Sequence, residues 1–208
     1  MVVVQQAIKK KKKKWFTIVA PQEFRNFELG ETWVSEPESA LNKILAINLT
    51  TLSGDIKRHN ILLLFKTISV KDSKVITFLI GYETSPSYVK KAIRASKSRI
   101  EESFLCKTKD NIEIIVKPFI LLKFKPQGSV LKALRKKLIE EIKSVVVKQT
   151  FQDFLDSVIT IRLFKDLQKS LNKIYPVSSI LIKSIRKIEK QKKEEKPQKE
   201  IIATAKIG

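Results

Sequence analysis

Apolar positions along this chain change their period twice, and the changes divide it. Trp15-Phe16-Thr17-Ile18-Val19-Ala20 suits a short strand, which Pro21 stops. From Lys43 to Phe124 the pattern is mostly that of strands. Ile44 to Leu52 runs apolar and turns at Ser53-Gly54-Asp55. Ile61 to Val70 and Val75 to Glu83 are β-branched and aromatic runs on either side of Lys71-Asp72-Ser73-Lys74, which predicts a hairpin. Ile112 to Lys117 and Phe119 to Phe124 flank Pro118, which has no N–H for a ladder and so predicts an edge position or a break. One helix interrupts these strands. Ser85 is a candidate cap, Pro86 suits the first turn, and Val89, Ile93 and Ile100 fall near one face.

After Gly128 the period becomes helical. Ser129 is a candidate cap, and Leu131, Leu134, Leu138, Ile142 and Val145 form one stripe. Phe151 to Leu155, capped by Thr150, and Ile161 to Ile174 read as further helices. Pro176 ends helix, and Val177 to Ile188 reads as a strand. The segments therefore predict an α+β fold: a β-rich lobe over 15–128 with an inserted helix, and a helical lobe over 129–189 with a final strand. Residues 1–14 read as a mobile basic arm and 190–208 as a charged disordered tail.

Charge changes the picture most. The 208 residues carry a formal net charge of +21, while 43% are apolar, enough for a real core. Such self-repulsion is tolerated where a polyanion partner offsets it. Lys9 to Lys14 run without a break into Trp15. Lysine outnumbers arginine, which favours contact with phosphates over reading of base edges. Lys90, Lys91, Arg94 and Lys97 form a basic stripe with no acid between Pro86 and Ile100, so the stripe lacks helical ion-pair partners. It is either the solvated face of a core helix or a ridge laid against phosphates, and the missing acids favour the ridge. Trp15 and Phe16 read first as an anchor for the fold and second as a platform for an unpaired base. Against the trend, residues 22–39 hold Glu23, Glu28, Glu31, Glu36 and Glu38 against Arg25 alone. This stretch reads as an exposed loop that moderates repulsion or, more sharply, as a docking surface for a basic protein.

Candidate chemistry is sparse. His59 is the one histidine and Cys106 the one cysteine, which leaves no histidine-rich metal site and no internal disulfide. Cys106, in Phe104-Leu105-Cys106, reads as a buried inert thiol in a reducing compartment. Asp153 and Asp156 read as helix-surface charge, not as an acid pair. Five scattered glycines make no phosphate-cradling loop, and no GxSxG elbow occurs. No apolar run is long enough for a membrane span. These absences predict no enzyme active site, no cofactor, no metal, no small-molecule substrate and a cytoplasmic location.

The order of segments carries a resemblance. Lys14-Trp15-Phe16-Thr17-Ile18-Val19-Ala20-Pro21-Gln22-Glu23-Phe24, then Gly30-Glu31-Thr32, then Asn48-Leu49-Thr50-Thr51-Leu52 appear in sequence. Ser87 to Ile100 with Lys107-Thr108-Lys109-Asp110-Asn111 follow, then Ser129 to Ile142, then Ile174-Tyr175-Pro176 and its basic strand. Over residues 9–189 this resembles the S-three-A family of archaeal and eukaryotic small-subunit ribosomal proteins, also called the eukaryotic-type S-one proteins. The chain departs from the family at Lys125-Pro126-Gln127-Gly128-Ser129, which keeps only the serine of a Thr-Ser pair, and at Asp110-Asn111, where glycine is common.

The resemblance implies a barrel-like sheet lobe with a more helical lobe and an archaeal length. It also implies a structural role on the platform of the small ribosomal subunit, near the messenger-RNA exit, among ribosomal RNA and neighbouring ribosomal proteins. The expected RNA contacts are Lys9, Lys10, Lys11, Lys12, Lys13, Lys14 and Trp15 in the arm and Lys90, Lys91, Arg94 and Lys97 on the inserted helix. Lys132, Arg135 and Lys136 on the long helix and Lys183, Arg186 and Lys187 on the last strand complete the set. The rival readings are a DNA-architectural or other non-ribosomal nucleic-acid-binding protein, and an RNA-modifying or RNA-cleaving enzyme.

Overall fold

The computed structural model describes residues 12–95 and 98–188. Lys9, Lys10, Lys11 and Lys97, most of the basic arm and the charged tail lie outside the described residues. The fold is α+β, and the described strands form one nine-stranded sheet that does not close.

The first strand, β1 (Lys14–Val19), buries Phe16 and Ile18 and pairs antiparallel with β2 (Glu28–Val34). Arg25 and Asn26, both at positive φ, turn the chain between them. The acidic stretch thus contains a strand as well as loop. β3 (Ile44–Asn48) is shorter than the apolar run suggests. The Asn48 side chain accepts a hydrogen bond from the Thr50 N–H and starts a short helix, α1 (Leu49–Ser53), which Gly54 ends in the left-handed region. The predicted hairpin is β4 (Ile61–Lys71) and β5 (Lys74–Thr84), joined by Asp72 and Ser73 at positive φ, the two-residue turn that matches strand twist.

The inserted helix, α2 (Pro86–Arg94), stops earlier than its periodicity suggests. The chain straightens into β6 (Ser98–Glu101), so Ile100 is a buried strand residue, not part of the helix face. Pro86 occupies the first turn, but the Ser85 side chain makes no capping hydrogen bond. β7 (Phe104–Lys107) and β8 (Glu113–Leu122) complete this half.

Pro118 neither ends β8 nor lies at an outer edge. It sits where the neighbour on one side changes from β7, opposite residues 113–116, to β6, opposite residues 119–122. On the other side the register shifts between Lys117 and Pro118. Its missing N–H therefore falls where regular pairing is already interrupted.

The helical segment is α3 (Gly128–Lys148), α4 (Phe151–Ile159) and α5 (Arg162–Asn172). Ser129 lies inside α3 and does not cap it. Thr150 does cap α4, accepting from the Asp153 N–H. The last strand, β9 (Val177–Lys187), enters the sheet between β5 and β8. β5 thus carries β4 along one edge and divides the other between β1, in parallel, and β9. One cross-strand row, Phe104–Val116–Ile185–Tyr82–Leu63–Ile47, spans six strands. That row belongs to the main core, where Leu134, Leu138 and Ile142 of α3, Phe154 of α4 and Leu167 of α5 pack. A smaller core of Phe16, Ile18, Val34, Ala40 and Val75 holds the β1–β2 ribbon.

Candidate nucleic-acid interface

The expected cations fall into four groups with different surroundings. On α2, Val89 turns inward while Lys90, Lys91 and Arg94 stay exposed and line one shallow depression with Ser87 and Ala95. Among the described residues no acid pairs with any of these three. The helix runs Pro-Ser-Tyr-Val-Lys-Lys-Ala-Ile-Arg, so helical spacing offers them no carboxylate. A solvated outer face of a core helix and a ridge laid against phosphates share this arrangement.

The α3 group is largely engaged. Arg135 Nε lies 2.9 Å from a Glu102 carboxylate oxygen in the link between β6 and β7. Lys136 reaches Glu140 at 3.9 Å and Lys137 reaches Glu141 at 4.0 Å. Lys132 is exposed and no described acid pairs with it. The β9 group is engaged too. Lys183 lies 4.0 Å from Glu101, which Arg99 also approaches at 3.5 Å. Arg186 donates to Glu83 on β5 at 3.2 Å. Lys187 places its ammonium 5.8 Å from the Phe78 ring centroid and 5.9 Å from that of Phe151. Exposed ion pairs of this kind are worth about 0–1 kcal/mol, so a phosphate can compete for the paired cations, but Arg135, Lys136, Lys183 and Arg186 begin partly neutralised.

The fourth group is the base of the arm. Lys12, Lys13 and Lys14 are exposed and lead into β1. Phe16, at 8% exposure, is the anchor; Trp15 is not, at 63%. Trp15 lies opposite Trp33 of β2, and the rings stack with centroids 5.9 Å apart and planes 19° apart. The Lys13 ammonium stands 4.5 Å from the Trp33 ring centroid. Trp33 is the residue that sequence reasoning missed. Its signal was present: with a turn near Arg25, antiparallel pairing brings Trp33 beside Trp15, but reading 22–39 as acidic loop hid the strand.

The remaining candidates have structural roles. Cys106 is buried, its thiol directed at the Ile114 carbonyl at 3.9 Å, and burial raises its pKa to about 11 against a smaller opposing effect of Lys143. Burial likewise raises the pKa of Tyr82, partly opposed by its hydrogen bond with Thr84. Exposed His59 directs Nδ1 at the Ile56 carbonyl, 3.1 Å away. Asp153 accepts from the Thr150 hydroxyl at 2.7 Å as part of the α4 cap. Among the described residues no three His, Cys, Asp or Glu side chains gather as metal ligands. No described helix is long and apolar enough to cross a membrane.

Set beside known proteins, residues 5–193 match the pattern of the Ribosomal S3Ae family. The chain belongs to that family. S3Ae relatives named small ribosomal subunit protein eS1 come from several archaea. That of Saccharolobus islandicus is 32% identical over 167 residues, covering 80% of each chain. That of Halorubrum lacusprofundi is 29% identical over 85% of this chain and 82% of its own. That of Methanothermobacter thermautotrophicus is 27% identical over 84% of this chain and 90% of its own. The S3Ae match runs from the lysine arm through β9, so it includes all four cation groups.

Proposed function

We propose that this protein is a structural constituent of the small ribosomal subunit that binds ribosomal RNA by its basic surfaces and catalyses no reaction. Membership of the Ribosomal S3Ae family carries this reading. The likeness to archaeal proteins named small ribosomal subunit protein eS1 supports a place in that subunit, beside other ribosomal proteins in the cytoplasm, and our reading puts it on the platform near the messenger-RNA exit. The α2 ridge suggests where phosphates lie. Among the described residues Lys90, Lys91 and Arg94 have no ion pair to give up, so each phosphate contact there releases a counterion at full benefit. The arm adds Lys9 to Lys14 and Trp15. Lys132, Arg135 and Lys136, and Lys183, Arg186 and Lys187, are supporting contacts, weaker where an acid must first be displaced.

The test has two arms. Sedimentation of cell extract should place the protein with free small subunits and with whole ribosomes; a stable pool outside ribonucleoprotein overturns the reading. Binding of purified protein to small-subunit RNA should weaken with salt. Replacing Lys90, Lys91 and Arg94 by Gln should flatten the log–log slope by about 2, given roughly 0.7–0.9 per phosphate contact. Replacing Arg135, Lys136 and Lys137 should flatten it less. An unchanged slope in the α2 variant removes the ridge from the interface.

A further inference from the structure

We propose that Trp15 and Trp33 form a stacking platform for an unpaired base of single-stranded RNA, with Lys12, Lys13 and Lys14 holding the adjoining phosphates. The inference rests on the RNA-binding reading and narrows it to one kind of RNA at one place. The two indoles are 63% and 55% exposed, yet they are stacked on each other, at 5.9 Å between centroids and 19° between planes. Single exposed apolar residues need no explanation. Two of the largest apolar side chains held side by side in water do, because such patches mark interaction sites.

The fold does not need these rings for its own packing. Phe16, the next residue along β1, closes the small core with Ile18, Val34, Ala40 and Val75. Strand alternation sends Trp15 and Trp33 to the opposite face of the ribbon. β2 pairs only with β1 in the sheet order, so the ribbon stands at a margin that a partner can reach.

Charge decides between partners. The Lys13 ammonium stands 4.5 Å from the Trp33 centroid, and Lys12 and Lys14 flank it, all exposed. Within the ribbon, Glu31 stands opposite Thr17 and Glu28 opposite Val19, both on the side of the tryptophans away from the lysines, and Glu36 follows two residues after β2. A polynucleotide alternates flat rings with phosphates, and this end of the ribbon alternates cations with flat rings. A protein surface seated here would have to desolvate Lys13 or supply it with an acid. The occupant is a single strand because bases within an A-form helix already have both faces stacked, whereas unpaired bases are free to stack on aromatic side chains.

The chain has two tryptophans, so its tryptophan emission, excited selectively over that of the three tyrosines, reports on this pair alone. The experiment adds end-labelled dodecamers to the full chain: oligoadenylate, the same backbone with abasic riboses, and an RNA duplex. Label anisotropy reads binding, and tryptophan emission reads stacking. Oligoadenylate should quench the emission saturably, while the abasic strand and the duplex should bind with the emission nearly unchanged. Trp33→Thr should weaken oligoadenylate binding by roughly 5- to 150-fold. Trp33→Phe should recover much of that loss, and neither change should alter abasic binding. Equal quenching by all three ligands, or equal affinity for base-bearing and abasic strands, overturns the platform. So does emission that responds only to an added ribosomal protein and to no RNA. Failure of every RNA to bind would instead strike the RNA-binding reading itself. Binding of all three with silent emission strikes the platform alone.

Discussion

Gly81 lies where β5 meets β9, with the β9 backbone tight against it, and replacing it by alanine tests the topology directly. A Cβ at this position would stand 2.2 Å from the Ile185 carbonyl oxygen and 3.3 Å from the Arg186 Cα. Both are backbone atoms, so no side chain can rotate away. The strands must separate by roughly 1 Å to reach an ordinary carbon–oxygen contact. The junction they form is short: Gly81 opposite Arg186, Tyr82 opposite Ile185 and Glu83 opposite Ser184. Inserting a methyl group into such a place costs about 1–3 kcal/mol. Each backbone hydrogen bond weakened adds about 0.5–1.5 kcal/mol. Alanine recovers about 0.4–1 kcal/mol by restricting the unfolded chain. The net expectation is a loss of roughly 2–4 kcal/mol, a large share of the 5–15 kcal/mol typical of a folded domain.

Urea unfolding followed by far-ultraviolet circular dichroism measures this loss. With a slope of about 2 kcal/mol per molar urea, the middle of the usual range, the midpoint of Gly81→Ala should fall by about 1–2 M. Gly128→Ala is the control. Nothing lies within 4 Å of a Cβ there, and the residue begins α3, so the change should be neutral or slightly stabilising. If Gly81→Ala unfolds at the midpoint of the native protein, β9 does not pack on β5 as described. Arg186 would then not be held beside Glu83.

Two further perturbations test local structure. Because burial raises the Cys106 pKa from its ordinary 9.0 to about 11, the unfolded chain releases this proton first as pH rises. Its contribution is therefore fully present below about pH 9 and declines toward pH 11. Relative to Cys106→Ala, the native protein should lose about 2 kcal/mol across that window, and parallel stability curves for the two would refute this. At α4, Thr150 Oγ1 accepts the Asp153 N–H at 3.2 Å, and Asp110 Oδ2 accepts the Phe151 N–H at 3.1 Å from a distant loop. Thr150→Ala should cost about 1 kcal/mol in urea unfolding, and adding Asp110→Ala should cost more. Unchanged midpoints in both variants would mean that α4 does not depend on these caps.

Those features that depend on near neighbours were legible in the sequence. The β4–β5 turn follows from Asp72-Ser73 between two β-branched runs. The α3 stripe follows from helical spacing, and Leu134, Leu138 and Ile142 are fully buried as it requires. Features set by distant partners were not legible. Nothing local to Val177–Lys187 says that it separates β5 from β8. Pro118 looks like a breaker until the gap between β6 and β7 and the shift against β9 are both known. Ile100 keeps the helical period by coincidence, since α2 ends at Arg94 and the chain is strand from Ser98.

The cations divide along the same line. On α3, Glu140 and Glu141 follow Lys136 and Lys137 by four residues, so their pairing could be read from spacing. The pairings of Arg135 with Glu102, Lys183 with Glu101 and Arg186 with Glu83 needed the fold. Each neutralises in part a residue that composition counts as surplus. Of the four groups, the α2 ridge and the base of the arm keep all their described cations without acid partners, while on α3 Lys132 and on β9 Lys187, which meets only aromatic rings, also lack one. Formal charge, spread over 208 residues, says only that a polyanion is needed. On the RNA-binding reading proposed above, the ion pairs favour Lys90, Lys91 and Arg94 and Lys12 to Lys14 as its firmest electrostatic contacts. Removing Glu102 should therefore make Arg135 a stronger phosphate ligand, whereas no single acid among the described residues holds the α2 ridge in check.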